Sequence, residues 1–261
     1  MFDWIYTSPL TVAALTMAAL FVGFTWLGSI FLAPIFRLFV RSRTGTNDIV
    51  GNILSSFGVL YGILLGLTAV AAYQNWSDVD AKITEEAGAI LSLHSDISTY
   101  PEPYRTDMRD LLRDVVEATI TEEWDKLRDE QITVGTGETV SHLRSRLVSF
   151  EPQTKAQEYV HQEAIAHLND FIEKRRFRIY SVTAGIPAVL WYVVIIGAIF
   201  NIVLIWLLDM KFVSQLFLGG LLAFFLGAMI LMIARLDKPF QSADGVNPDA
   251  LRLVYRIMTS N

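Results

Sequence analysis

Glu158 and His161 have the Glu-x-x-His spacing with which helical bundles hold a di-iron pair. That chemistry needs a second such motif and further carboxylates to complete the ligand set, and the sequence supplies neither. His94, His142, His161 and His167 do not make a metal site by their spacing. The chain has no cysteine, which excludes a disulfide framework and thiolate ligands. It also lacks a Gly-x-Ser-x-Gly elbow, a phosphate loop and a dinucleotide fingerprint. The expectation is a protein with no catalytic residue, no metal and no cofactor, and not an enzyme.

Two charged stretches are the next candidates. Asp78, Asp80, Glu85 and Glu86 follow an apolar run, and Lys174, Arg175, Arg176 and Arg178 precede another. The acidic group reads as a solvated helix face or, if several subunits surround an axis, as a ring at a cytoplasmic mouth that favours cations. The basic group reads as a topology signal and headgroup anchor, or as the lining of a mouth for anions. A formal net charge of −6 argues against a nucleic-acid partner, which would need a basic face.

The first two of these acids close the least ambiguous element, Asn52 to Asp80. It carries no charge from Ile53 to Ser77, long enough to cross a bilayer. Gly58, Gly62 and Gly66 recur every four residues on one helical face, with Phe57 and Tyr61 on the same general side. Such a ladder lets membrane helices approach closely, and it is equally compatible with a helix that lines a pore. No span contains a carboxylate, lysine or histidine, which disfavours an ion-coupled transporter and leaves a passive, apolar-gated path. The polar groups available for a transporter cavity are mainly Ser55, Ser56, Thr68 and Asn201.

A mean hydropathy of +0.40, with apolar residues gathered in blocks, predicts an all-α integral membrane protein. Four transmembrane helices are expected: Pro9 to Phe36 with Pro34 near its end, Ile49 to Tyr73, Pro187 to Leu208 and Phe212 to Ala234. Between the second and third, Trp76 to Arg178 reads as soluble helix. Its apolar stripes run Val79, Ile83, Ala87, Ile90, His94, Ile97, then Met108 to Leu127, then Val160 to Arg175. Pro101 and Pro103 separate the first two, and Gln131 to Glu138 reads as a turn. The expected organisation is 1–76, membrane helices 1 and 2; 77–180, a cytoplasmic helical domain; 181–235, membrane helices 3 and 4; and 236–261, a cytoplasmic tail. The N-terminus has no basic region typical of a secretory signal. An even number of spans puts both termini and the soluble helices on one side. Lys82, the Lys174–Arg178 cluster, Arg235 and Lys238 outnumber Arg37, Arg41, Arg43 and Lys211, which predicts that this side is cytoplasmic and the membrane the cell inner membrane.

The second span, Ile53-Leu-Ser-Ser-Phe57-Gly-Val-Leu-Tyr61 ending in Tyr73-Gln-Asn-Trp76, resembles the pore helix of bestrophin channels. The tail from Leu236-Asp-Lys-Pro239-Phe240 through Asp249 resembles the stretch after their last span. Over nearly its whole length the chain is similar to the bacterial bestrophin-like family known as DUF4239, through Tyr61-Gly-Ile-Leu-Leu-Gly66, Glu123-Trp124, Leu190-Trp191 and Asp237-Lys-Pro-Phe240. The resemblance implies a homo-oligomer, a pentamer in bestrophins, that passes monovalent ions through an axial pore in the lipid bilayer. It implies a hydrophobic neck at Ile53, Phe57 and Tyr61, and it moves Gly58, Gly62 and Gly66 to helix packing. Tyr61 stands where bestrophins have phenylalanine, and the sparse acids Asp244 and Asp249 disfavour calcium gating of the animal type. The alternative is a non-conducting membrane scaffold or sensor that acts through its cytoplasmic helices.

Overall fold

The structure, a computed structural model, describes residues 4–39, 45–131 and 136–260. All regular structure among them is helical. In chain order the helices are α1 (Trp4–Thr7), α2 (Leu10–Phe31), α3 (Ala33–Phe39), α4 (Thr46–Ile97), α5 (Tyr104–Ala118), α6 (Trp124–Arg128), α7 (Thr136–Val148), α8 (Lys155–Tyr180), α9 (Ala188–Leu207), α10 (Phe212–Asp237) and α11 (Asp249–Ser260). Four of them are long and apolar enough to cross a membrane, including the N-terminal part of α4 and the helix at 188–207.

Three boundaries differ from the sequence reading. The first span is interrupted, because Pro34 has no N–H to offer the preceding turn and the chain restarts as α3. The polar Gln74-Asn75-Trp76 does not interrupt the helix that carries the second span. No proline or glycine stands between Gly66 and Gly88, so the backbone continues to Ile97 as one helix of 52 residues. The expected turn at 131–138 is shorter, since α7 already begins at Thr136, and residues 132–135 lie outside the described residues. Arg41 and Arg43 also lie outside them.

The chain divides into two units. The first comprises Met1–Asn75, Gly185–Lys238 and Ser242–Asp244. Its tightest pairing is α2 with α10. Gly219, Ala223 and Gly227 recur every four residues along α10 and are all buried. A Cβ at Gly227 would lie 3.2 Å from the Phe21 ring and 3.3 Å from the Met17 carbonyl, so glycine is what lets the two backbones approach. Trp206 fills the space above Gly28 and donates to the Thr25 carbonyl at 3.1 Å. Asp237 accepts from Trp191 Nε1 at 2.9 Å and from the Ile186 amide at 2.5 Å. Buried Arg235 binds the Ile5 and Ser8 carbonyls and Asp244.

The second unit comprises Trp76–Ala184, Pro239–Gln241 and Gly245–Asn261. The stripes read from the sequence form its core: Val79, Ile83, Ile90, Leu93, Ile97, Met108, Leu112, Val115, Leu168 and Phe171 are all buried. The Met108-to-Leu127 stripe is not one α-helix. A single π-helical turn, Thr119–Glu123, widens it between α5 and α6. The wider turn carries Glu123 and Trp124 inward together, so Glu123 is almost fully buried.

Candidate functional site

One side of α4 binds the rest of the first unit. Val50, Tyr61, Leu65, Thr68 and Ala72 are buried along it at helical spacing. Tyr61 donates its hydroxyl to the Val194 carbonyl at 2.7 Å, and its ring occupies the notch that Gly197 leaves in α9. Phe57 is half-buried, stacks on Tyr61 at 6.2 Å and meets Phe200 at 5.9 Å. Asn47 donates to the Asp209 carbonyl and accepts from the Asp209 amide at the end of the helix.

At about 100° per residue, the side of α4 opposite Tyr61 carries Asn52, Ser55, Ser56, Val59, Ile63, Gly66, Val70 and Gln74. All are exposed. Ile53, 49% exposed, borders this face. A Cβ at Gly58, Gly62 or Gly66 would meet nothing within 4 Å, so the ladder packs against no other part of this chain's described residues. From Asn52 to Gln74 the outward face therefore has polar ends, an apolar middle and no charge, and exposed Asp48 stands on the same side one turn before Asn52.

The other spans present a different exterior. The exposed residues of α9 and α10 are apolar apart from Tyr192 and Ser214. On α2 the exposed Thr16 turns its hydroxyl back onto the Val12 carbonyl at 2.8 Å. The cavity expected of a transporter does not assemble. Thr68 and Asn201 are buried but bond to their own helices, at Leu64 and Gly197, while Ser55 and Ser56 point outward.

The four carboxylates after the span separate in space. Asp78 and Asp80 are exposed, and Glu85, 54% exposed, pairs with Lys174 at 2.9 Å. Glu86 is fully buried and binds Arg178, so it belongs to the core and not to a charged surface. Arg178, itself fully buried, also binds Glu123, and its guanidinium lies 5.8 Å from the Trp124 ring. Arg175 pairs with the other oxygen of Glu123 at 2.5 Å. Burial pushes the Glu86 carboxyl up while Arg178 draws it back. The basic cluster expected at the headgroups is thus spent mainly inside the unit, with Arg176 left exposed. Local pattern could not reveal this, because the acids lie 92 and 55 residues from Arg178 in sequence.

The histidines do not converge. Tyr100 bonds His161, Asp96 bonds His167, Arg109 donates to His94, and His142 is exposed. Among the described residues no three His, Cys, Asp or Glu side chains stand together as a metal-binding group. The short motifs singled out in the sequence prove to be mutual anchors. Trp191 meets Asp237, and the Trp124 ring lies 5.5 Å from Phe240.

A model of the bestrophin-like domain family matches residues 22–251. The fold is similar to a crystal structure of a point variant of a bacterial bestrophin homolog from Klebsiella pneumoniae. The TM-score is 0.71 at 11% identity, over 93% of this chain and 99% of that one. It is also similar to a crystal structure of a membrane protein variant, at TM-score 0.67 and 12% identity over 95% and 97%. At these identities the likeness is one of fold. No curated protein matches the sequence.

Proposed function

Because the chain belongs to the bestrophin-like family, whose known members are ion channels, we propose that it forms an oligomeric channel for monovalent ions with the outward face of α4 around the axis. One observation carries this reading. Of the four spans, α4 is the one whose exposed face combines Asn52, Ser55, Ser56 and Gln74 with uncovered glycines. Lipid gives no partner to exposed amides, whereas a water-filled lumen does. One helix face cannot enclose a lumen, so conduction requires a ring of copies, five by analogy with bestrophins. The bilayer holds the four spans. Both termini and the second unit would lie in the cytoplasm, under the inner membrane.

In this arrangement Val59 and Ile63 supply an apolar ring at the middle of the lumen, and Ile53 borders it. Phe57 and Tyr61, the other two members of the expected neck, stand behind and hold α4 against α9. Such a ring conducts when hydrated and blocks when dry. Asp78 and Asp80, exposed one or two turns beyond Tyr73, would bias the mouth toward cations. Gly58, Gly62 and Gly66 would seat the neighbouring protomer at the edge of the lumen face.

The test is reconstitution of the purified protein in a planar bilayer. Val59→Ala with Ile63→Ala should raise the current, and Tyr61→Phe should leave its selectivity unchanged. Absence of current from both wild type and the widened variant sinks the channel. The scaffold reading has its own observation. An open groove of about 510 Å³ lies between the end of α5 and α11, beside Ile120 and Tyr255. A silent bilayer together with a partner bound at that groove would favour it.

A further inference from the structure

An open cavity of about 250 Å³ lies at the surface of the second unit, lined by His94 of α4, Thr106, Arg109, Asp110 and Arg113 of α5, and Met258 and Thr259 of α11. Its charges do not balance. Arg113 is paired with Asp110 at 2.9 Å. Arg109 has no carboxylate at ion-pair distance among the described residues. Its Nε donates instead to Nε2 of buried His94 at 3.2 Å. That bond makes His94 an acceptor, hence a neutral imidazole with its proton on Nδ1. Arg109 is thus a half-buried cation oriented by a neutral group, and its two terminal nitrogens make no hydrogen bond among the described residues. A half-buried cation with no carboxylate beside it is placed to accept an anion that enters the cavity. The threonine hydroxyls do not compete as donors. Thr106 donates to Glu102 at 2.8 Å, and Thr259 donates to the Tyr255 carbonyl at 3.0 Å.

We propose that this cavity is a binding site for a phosphate group, held by the terminal nitrogens of Arg109 and by Arg113 once Asp110 yields. Two planar guanidinium forks one helical turn apart on α5, lining one small cavity, suit a tetrahedral dianion better than a single carboxylate, because each fork can take two of its oxygens. His94 is the positioning residue that aims Arg109. The site is independent of the channel reading, since binding is measured without conductance.

The experiment titrates the full-length protein in detergent with inorganic phosphate by calorimetry, replacing chloride at constant ionic strength. Saturable binding is expected in the wild type. Arg109→Gln should weaken it about tenfold or more, the range of a charge-assisted pair. Asp110→Asn removes the competing carboxylate without touching the core and should tighten binding about threefold. Arg146→Gln, at an exposed arginine paired with Asp107 elsewhere on the unit, should change nothing. A second arm offers short-chain phosphatidic acid. Saturable binding there alone, lost in Arg109→Gln, supports the site and assigns a lipid headgroup as the source. The proposal is overturned if neither arm saturates, if Arg109→Gln binds as the wild type does, or if Asp110→Asn fails to tighten. The last comparison holds even if the arginine variant does not fold.

Discussion

Two ladders of small residues with the same four-residue step stand in this membrane unit, and they are used in opposite ways. Gly219, Ala223 and Gly227 of α10 are buried, and Gly227 lies hard against Phe21 and the Met17 carbonyl of α2. Gly58, Gly62 and Gly66 of α4 face open space. Spacing alone therefore says that a helix can be approached closely, not that its own chain does the approaching. The same contrast of closed and open holds for charge in the second unit. Arg178 is locked between Glu86 and Glu123, whereas Asp78 and Asp80 are exposed.

Perturbing a closed feature should cost stability, and perturbing an open one should alter only assembly or transport. The largest effect is expected at Arg178→Met, which strands buried Glu86 and leaves Glu123 with Arg175 as its remaining partner. Removing one partner from a buried ionic group costs roughly 3–5 kcal/mol. Loss of the cooperative unfolding transition, or a large fall in its midpoint, is the readout. Raising the pH should worsen the variant, because the stranded Glu86, already pushed up by burial, must ionise without its partner.

Next comes Gly227→Leu, which overpacks the α2–α10 contact. Insertions into a packed core cost about 1–3 kcal/mol, measurable as a lowered thermal midpoint in micelles. A leucine at 227 that left the midpoint unchanged would break the comparison of the two ladders at its closed end.

A smaller, pH-dependent effect is expected at His94, whose proton affinity is held below the ordinary value of 6.5 by burial first and Arg109 second. With a lowered folded-state pKa, the unfolded chain binds more protons as acid is added. Stability should therefore fall as pH drops below about 6.5 and level off below the folded pKa. His94→Gln should flatten part of that slope. His161, also pushed down by burial, should retain the remainder.

The smallest effect on folding is expected for Gly62→Ala. With nothing to collide with, the alanine adds helix propensity worth up to about 1 kcal/mol. Protomer stability should hold or rise while the cross-linked oligomer yield or the bilayer current changes. If the variant unfolds earlier, the open ladder is not open.

Much of the architecture is legible in local pattern because local pattern causes it. Uncharged runs of bilayer length make spans, and stripes at steps of three and four make amphipathic helices. Val79, Ile83 and Ile90 accordingly lie in the core where the stripe puts them. Boundaries were less legible. The polar Gln74-Asn75-Trp76 marks a change of surroundings, but backbone hydrogen bonding carries the helix through it. The extra residue of the π turn at Thr119–Glu123 leaves no mark in a pattern of apolar residues.

What the sequence by itself determined is the set of helices and the uncharged, glycine-bearing character of the second span. What only the tertiary structure decided is which side of that span is taken. Tyr61 turns into the notch of Gly197, which lies 136 residues away, and this leaves Asn52, Ser56, Val59 and Ile63 outward. The same holds for Glu86, which reads as surface in its run of acids until Arg178 meets it from α8. The physical reason is common to both. Periodicity is a property of one helix, whereas the choice of the buried face depends on a notch or a counter-charge supplied by another.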